Sequence, residues 1–232
     1  MKKDRKLILV GDGPFAEIAY EYFTHESPYE VVAFAVESAF RKRDELFGLP
    51  VIDFEMMQDR YAPAEHSFYA ALVYTQLNRL RARLYAAAKA KGYAPASYVS
   101  PRAFVWPNVK LGEHVFIFEG NVVQPFASIG DDVVLWSGNH IGHHSRIGDH
   151  AFISSHVVVS GFCDVGAGSF FGVNSTLGDN VRIGPDCLIG AGAVVVKDVP
   201  EDTLVKGNLS DLTKAYSARR YFKVATPAAE AA

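Results

Sequence analysis

From Val99 to Val195 a large apolar residue stands at every sixth position of the chain, beginning Val99, Val105, Leu111, Ile117 and ending Ile183, Ile189, Val195. All seventeen positions obey the rule, and with roughly a third of residues qualifying in an ordinary composition the run stands on the order of a hundred million to one against chance. A period of six is neither the 3.6 of a helix nor the 2 of a strand, so the repeat decides the architecture before any local element is assigned. It predicts a three-sided coil in which each side is one hexad, with its apolar side chain turned inward and a corner between sides. Eighteen residues close one turn, and turns stacked at strand spacing, about 4.8 Å, give a column roughly 25 Å tall. Glycine follows the apolar residue at 112, 130, 142, 148, 166, 172, 178, 184 and 190, which assigns it to the corners, where unusual backbone angles cost it little. Four residues after each apolar position comes a mostly small one, among them Ala127, Ser145, Cys163, Ser169 and Cys187, as a narrow interior requires.

Before this repeat the pattern changes. Residues 6–10 read as a buried strand, Pro14 to Phe23 as a helix starting after Gly11-Asp12-Gly13, and Val31 to Val36 as a second strand. Phe68 to Tyr74 reads as another strand and Asn78 to Lys91 as a helix. Strand, glycine turn, helix, strand is the first unit of a doubly wound sheet, so residues 1–96 are expected to form an α/β, Rossmann-like domain. Residues 97–200 are then the coil, and 201–232 an extension with a short helix over Ser210 to Phe222 and a disordered end from Ala225. Backbone amides at the first helix start would face a phosphate, and Glu37 ends the second strand, where an acid commonly meets a ribose or base. The candidate substrate-binding residues are therefore Gly11, Asp12, Gly13, Pro14, Phe15, Glu37 and Asn78. Ninety-six residues are too few for a full dinucleotide fold, which favours a nucleotide-sugar over NAD.

Composition narrows the function. The 232 residues carry a formal charge of -3, so no broad basic field exists to hold nucleic acid or a membrane surface. The start MKKDRKLILVGDG has an apolar run too short for a signal peptide or a span, and a cytoplasmic location is expected. Cys163 and Cys187 are the only cysteines, without the spacing of a zinc site, and read as small buried residues.

Five of the eight histidines, His140, His143, His144, His150 and His156, crowd one stretch of the repeat. The hexad, [LIV]-G-x-x-[STAV]-x, resembles the hexapeptide repeat of left-handed parallel β-helix acyltransferases. Gly142-His143-His144-Ser145-Arg146-Ile147-Gly148 resembles the His-[Asp/Glu]-x-x-Ile-Gly segment of the nucleotide-sugar N-acetyltransferases that modify 4-amino sugars, and of the sialic-acid-type O-acetyltransferases. The resemblance implies a left-handed coil, assembly as a homotrimer, acetyl-CoA as co-substrate with no metal, and His143 as general base toward the amine of a nucleotide-activated amino sugar. Imidazole suits that role because it titrates near neutral pH. Residue 161 lies one coil after 143, and the period places the Gly161 amide against the imidazole. Both the stacking and the resemblance assign it the developing oxyanion.

The segment Gly190 to Pro200, followed by Val205 to Asn208, resembles the end of the β-helix that receives CoA in this family. That resemblance nominates Ala191 and Ala193 beside the pantetheine arm and Lys197 or Lys206 at the phosphates, with Gly161 at the thioester. Three departures stand out: His144 replaces the acid that would orient the base, Phe152 replaces a second histidine for which His156 is a distant substitute, and Asn208-Leu-Ser replaces Asn-Pro-Ala. The alternatives are a sugar O-acyltransferase using the same base, a zinc hydratase of the trimeric β-helix type, and a scaffold without chemistry.

Overall fold

The computed structural model describes residues 2–207; the short helix and disordered end expected beyond residue 208 lie outside the described residues. The N-terminal part is a six-stranded sheet in the order β3-β4-β2-β1-β5-β6, from β1 (Arg5–Val10), β2 (Tyr29–Val36), β3 (Glu45–Leu46), β4 (Leu49–Asp53), β5 (His66–Ala70) and β6 (Ala94–Pro95). All neighbours are parallel except β3 with β4. Alternation along β1 explains the layering: Leu7 and Leu9 face one apolar cluster with α1 (Pro14–Glu26), and Ile8 and Val10 face another with α3 (Arg79–Ala90). A short α2 (Met57–Arg60) lies between β4 and β5.

Two elements differ from the sequence reading. Strand β4 lies in a stretch, between Glu37 and Phe68, to which the sequence assigned no element; it pairs with β2 and, as a hairpin, with β3. Strand β5 stops at Ala70, four residues short of Tyr74. The chain then turns through Gln76, Leu77 and Asn78, all at positive φ, and α3 begins only at Arg79.

From Tyr98 to Val195 two-residue strands stack in parallel with an eighteen-residue offset, Phe116 on Tyr98, Val134 on Phe116 and Phe152 on Val134, and Leu204 joins Leu188 at an offset of sixteen. They form three sheets. The first face runs from Tyr98–Val99 through Phe152–Ile153 to Leu204–Val205, the second from Phe104–Val105 to Val194–Val195, and the third from Lys110–Leu111 to Arg182–Ile183. Parallel stacked sheets of hexapeptide repeats fit a left-handed β-helix. Inside, Ile141, Ile153, Val159, Val165, Phe171 and Leu177 have no exposed surface, each contributing about 1.5–3 kcal/mol by burial. Ser145, Ser169, Ser175, Cys163 and Cys187 are buried with them, as the small-residue column required.

The glycines work differently from the expectation. From Leu111 to Ile189 positive φ occurs three residues after each interior residue, at His114, Phe126, Asp132, His144, His150, His156, Phe162, Asn174, Asn180 and Asp186, with glycine there only at 120, 138, 168 and 192. The glycines directly after the interior residue, Gly178 excepted, have no room for a side chain: a Cβ on Gly130 would lie 2.8 Å from the Asp149 nitrogen, and one on Gly142 2.5 Å from the Ser160 carbonyl carbon. The close approach of successive coils, and not a left-handed turn, selects them.

The N-terminal domain docks on the first face. Phe15 and Phe23 of α1 pack on Tyr98, Phe116, Phe118 and Trp136, and Tyr74 packs on Phe152 and Phe170. At one edge of that face Arg81, fully buried, donates to Asp132 Oδ1 at 3.1 Å and to the His150 carbonyl at 2.8 Å. Asp132 also accepts from the Nδ1 of His114 at 2.8 Å and of His150 at 2.9 Å. The Nε2 of His114 accepts the Ala70 amide at 2.7 Å, so His114 is neutral with its proton on Nδ1. Burial pushes the His114 imidazole below its ordinary value against the pull of Asp132. Burial alone would raise Asp132, but Arg81 and the two imidazoles hold it well below the carboxylate range.

Candidate active site

The corner between the second and third faces carries His143. Its backbone N–H donates to Gln124 Oε1 at 3.0 Å, and its Nδ1 lies 3.2 Å from Nδ1 of His144. Its Nε2 makes no hydrogen bond among the described residues. Gly161 stacks on the ring: a Cβ there would come 2.8 Å from Cε1 and 3.0 Å from Nε2. Residues 143 and 161 therefore share one corner. The Gly161 N–H, however, donates to Asp179 Oδ1 at 2.9 Å. That corrects the expected open oxyanion donor, because the eighteen-residue register that stacks Gly161 on His143 also stacks Asp179 on Gly161. What Gly161 supplies in this structure is space.

His144 lies between Phe126 and Phe162, its ring 4.7 Å and 4.8 Å from theirs and inclined by 25° and 16°. Phe162 also meets His143 edge-on at 5.0 Å. The sequence reading missed both phenylalanines and Gln124, although 126, 144 and 162 are eighteen apart and the period alone puts them on one corner. The five clustered histidines do not converge. His140 lies on the second face, His150 joins the Asp132 network, and His156 sits at the corner between the first and second faces, beside Gly138. His156 is thus on a different corner from His143, and Phe152 is buried in the domain contact. Among the described residues no group of three or more His, Cys, Asp or Glu gathers as metal ligands would.

The other nominated residues divide. Lys197, exposed, follows Val195 on the corner of His143, some three coils along. Lys206 and Ala191, both exposed, are instead on the corner between the first and second faces. Ala193 points into the coil and is buried, so its nomination for the pantetheine arm is corrected: it belongs to the interior column of small residues.

A separate cavity of about 620 Å³ lies in the N-terminal domain at the carboxyl ends of β1, β2 and β5, lined among others by Gly11, Asp12, Gly13, Pro14, Phe15 and Glu37. The chain leaves β1 toward β2 on one side and returns to β5 on the other, and the cavity opens at this switch point. Gly11 has φ +114°, and a Cβ on it would lie 3.0 Å from the Ala71 carbonyl oxygen. Gly13 caps α1 in an extended conformation, with Pro14 in the first turn. Glu37 is held by Arg83 through two hydrogen bonds of 2.8 Å, and that guanidinium lowers its carboxyl; Arg83 was missed in the sequence because only the fold brings α3 to the end of β2. Asp12 pairs with Arg43 at 3.4 Å. Asn78 corrects the expectation: it is buried, and its side-chain amide donates to the Gly168 carbonyl at 2.9 Å. Its backbone sits at positive φ to make that contact, so it ties the domains together and does not face the cavity.

Comparison with known proteins fits this architecture. The family described as bacterial transferase hexapeptide (six repeats) matches residues 126–161 and 162–197. Among solved structures, PerB from Caulobacter crescentus in complex with CoA and GDP-perosamine is 28% identical, with a TM-score of 0.77 over 87% of this chain and 94% of that one. The acetyltransferase domain of PglB from Neisseria gonorrhoeae is 25% identical, with a TM-score of 0.79 over 88% of this chain and 97% of its own. WeeI from Acinetobacter baumannii, 16% identical with a TM-score of 0.61 over 88% of this chain and 97% of its own, shares the fold. No curated protein matches in sequence. With a hexapeptide-repeat coil and structural likeness running through both domains, the chain is an acyltransferase and resembles the nucleotide-sugar N-acetyltransferases of the left-handed β-helix type.

Proposed function

We propose that the protein transfers an acetyl group from acetyl-CoA to the amine of a nucleotide-linked amino sugar, with His143 as general base. The observation that carries this reading is the His143 corner: an exposed imidazole whose Nδ1 is engaged, whose Nε2 makes no hydrogen bond among the described residues, and against whose face only a residue without a side chain fits. The solved complex of PerB with CoA and GDP-perosamine supports the pairing of these two substrate classes. The amine nitrogen attacks the thioester carbonyl while its proton passes to His143 Nε2. The tetrahedral intermediate then collapses, the C–S bond breaks, and the CoA thiolate takes that proton as it leaves. No acyl-enzyme is needed, since both cysteines are buried inside the coil.

The N-terminal domain serves, on this reading, as a Rossmann-like nucleotide-sugar site. Within one chain it is on the wrong side. It covers the first face and its edges, whereas His143 stands at the corner opposite, between the other two faces. A neighbouring subunit must therefore bring its nucleotide cavity to this corner. The second face provides an uncovered apolar strip for such a contact, with Phe104, Trp106, Val158, Val194 and Val196 all exposed. A homotrimer closed by this heterologous contact gives each site one cavity and one base.

The test is CoA release measured over UDP-, GDP- and dTDP-linked amino sugars. His143→Ala is expected to lower turnover about 100- to 10,000-fold; near-normal turnover in that variant refutes the base, and release only with hydroxyl acceptors moves the reading to O-acylation.

A further inference from the structure

We propose that His144 is the positioning residue of the reaction: its Nδ1 accepts the Nδ1–H of His143, holding the base in the one tautomer whose Nε2 can take a proton. This rests on the reading of His143 as general base and adds the group that makes it one.

Two imidazole nitrogens 3.2 Å apart share one proton, since two lone pairs repel and two N–H groups collide. If His144 donated it, His143 would carry its own hydrogen on Nε2 and could accept nothing from the amine. If His143 donates, its Nε2 lone pair is free, and the imidazolium formed when the amine proton arrives keeps the same bond to His144. Only the second arrangement is competent. The partner here is neutral, and it acts by direction and tautomer without adding a fixed charge.

The surroundings show why His144 can hold that direction. Its ring is stacked on both faces, by Phe126 from the coil before and Phe162 from the coil after, at 4.7 Å and 4.8 Å. Ring rotation would break both stacks, and offset-stacked aromatic pairs are favourable beyond the area that they bury. The backbones of 126, 144 and 162 all lie at φ between 58° and 64°, so the corner presents three aromatic rings in register. His143 is confined in turn by Gln124 on its amide, by the edge of Phe162 and by Gly161 against its face. A column of this kind is more than is needed to turn a corner, since Asn174 and Asn180 occupy equivalent positions at φ 57° and 63°.

Two substitutions separate positioning from packing. His144→Phe keeps the stack and removes the acceptor; Phe126 and Phe162 show that the corner accepts phenylalanine. His144→Asn removes the stack, tolerates the backbone and places Oδ1 where Nδ1 stands. The expected result is a fall in kcat of about 10- to 100-fold in His144→Phe with KM for both substrates unchanged, and substantial rescue in His144→Asn. Nitrogen-15 shifts of labelled histidine should place the His143 proton on Nδ1 in the wild type and the Asn variant, and should show that preference lost in the Phe variant. Wild-type turnover in His144→Phe, an Asn variant as impaired as the Phe variant, or a His143 proton on Nε2 in the wild type would each overturn the inference. The last readout needs no activity, so a wild-type protein that acetylates no amino sugar sinks the proposed function and leaves the histidine pair to be judged by its tautomer.

Discussion

Gly161 shows how narrow the margin at a single residue is. An added methyl group there would press on Cε1 and Nε2 of His143, and the ring has Phe162 and His144 at its other sides. Gly161→Ala is therefore expected to displace the imidazole and reduce kcat about 100-fold, while thermal unfolding changes little, because the position is at a corner and outside the core; unchanged kcat would show that the imidazole does not need the space that the glycine leaves. Part of this residue-level picture was legible beforehand. His143 and Gly161 follow from the register, since residues eighteen apart share a corner. The Asp179 contact that engages the Gly161 amide follows from the same arithmetic, yet was not read, because the period says which residues are stacked and nothing about which donor a side chain captures. The stacking of Phe126 and Phe162 on His144 was hidden for a similar reason: exposed corner aromatics look like scattered surface residues until the turn aligns them.

Among the elements, the contact between the coil and α3 has the most at stake. Arg81 and Asp132 are both fully buried, and among the described residues Asp132 alone neutralises the guanidinium. Asp132→Asn keeps the shape and the backbone preference but leaves a buried charge unpaired, which is expected to cost about 3–5 kcal/mol in urea unfolding; a loss below about 1 kcal/mol would mean that the site is wetter than it looks. His114 gives the same contact a pH dependence. Its folded-state pKa is depressed, so below the free-imidazole value of about 6.5 the unfolded chain binds the extra proton. The stability it contributes is full above that value and is lost as pH falls beneath it, by at most about 1.4 kcal/mol per pH unit. Melting temperatures measured from pH 7 to 5 should decline, and His114→Gln should flatten the decline; identical slopes would assign it to other groups. None of this network was visible in the sequence. His114 and Asp132 sit at routine corner positions, and their partner comes from a helix some thirty to fifty residues earlier.

For the whole molecule the decisive relation is between two sites that one chain keeps apart. If the cavity of one subunit serves the His143 of the next, two inactive variants should complement each other. His143→Ala removes the base, and Gly13→Trp fills the cavity from a position where a Cβ meets nothing within 4 Å. Each alone is expected to be inactive. Co-refolded mixtures should recover activity, up to about one third of the wild-type rate in a cyclic trimer holding both kinds of subunit, and no recovery, or a monomeric mass by light scattering, would remove the shared site.

The amino-acid sequence by itself determined the coil, its eighteen-residue turn, the inward column and the pairing of His143 with Gly161, because a strict period converts position along the chain directly into position around an axis. It also marked the strand, glycine turn and helix of the first domain, because that motif is local. Tertiary structure alone decided which face the first domain covers, that Asn78 and Arg81 lock it there, that Arg83 engages Glu37, and that the cavity and the base stand on opposite sides of one chain. Those relations depend on how two independently patterned surfaces meet, and no repeat within either records the other.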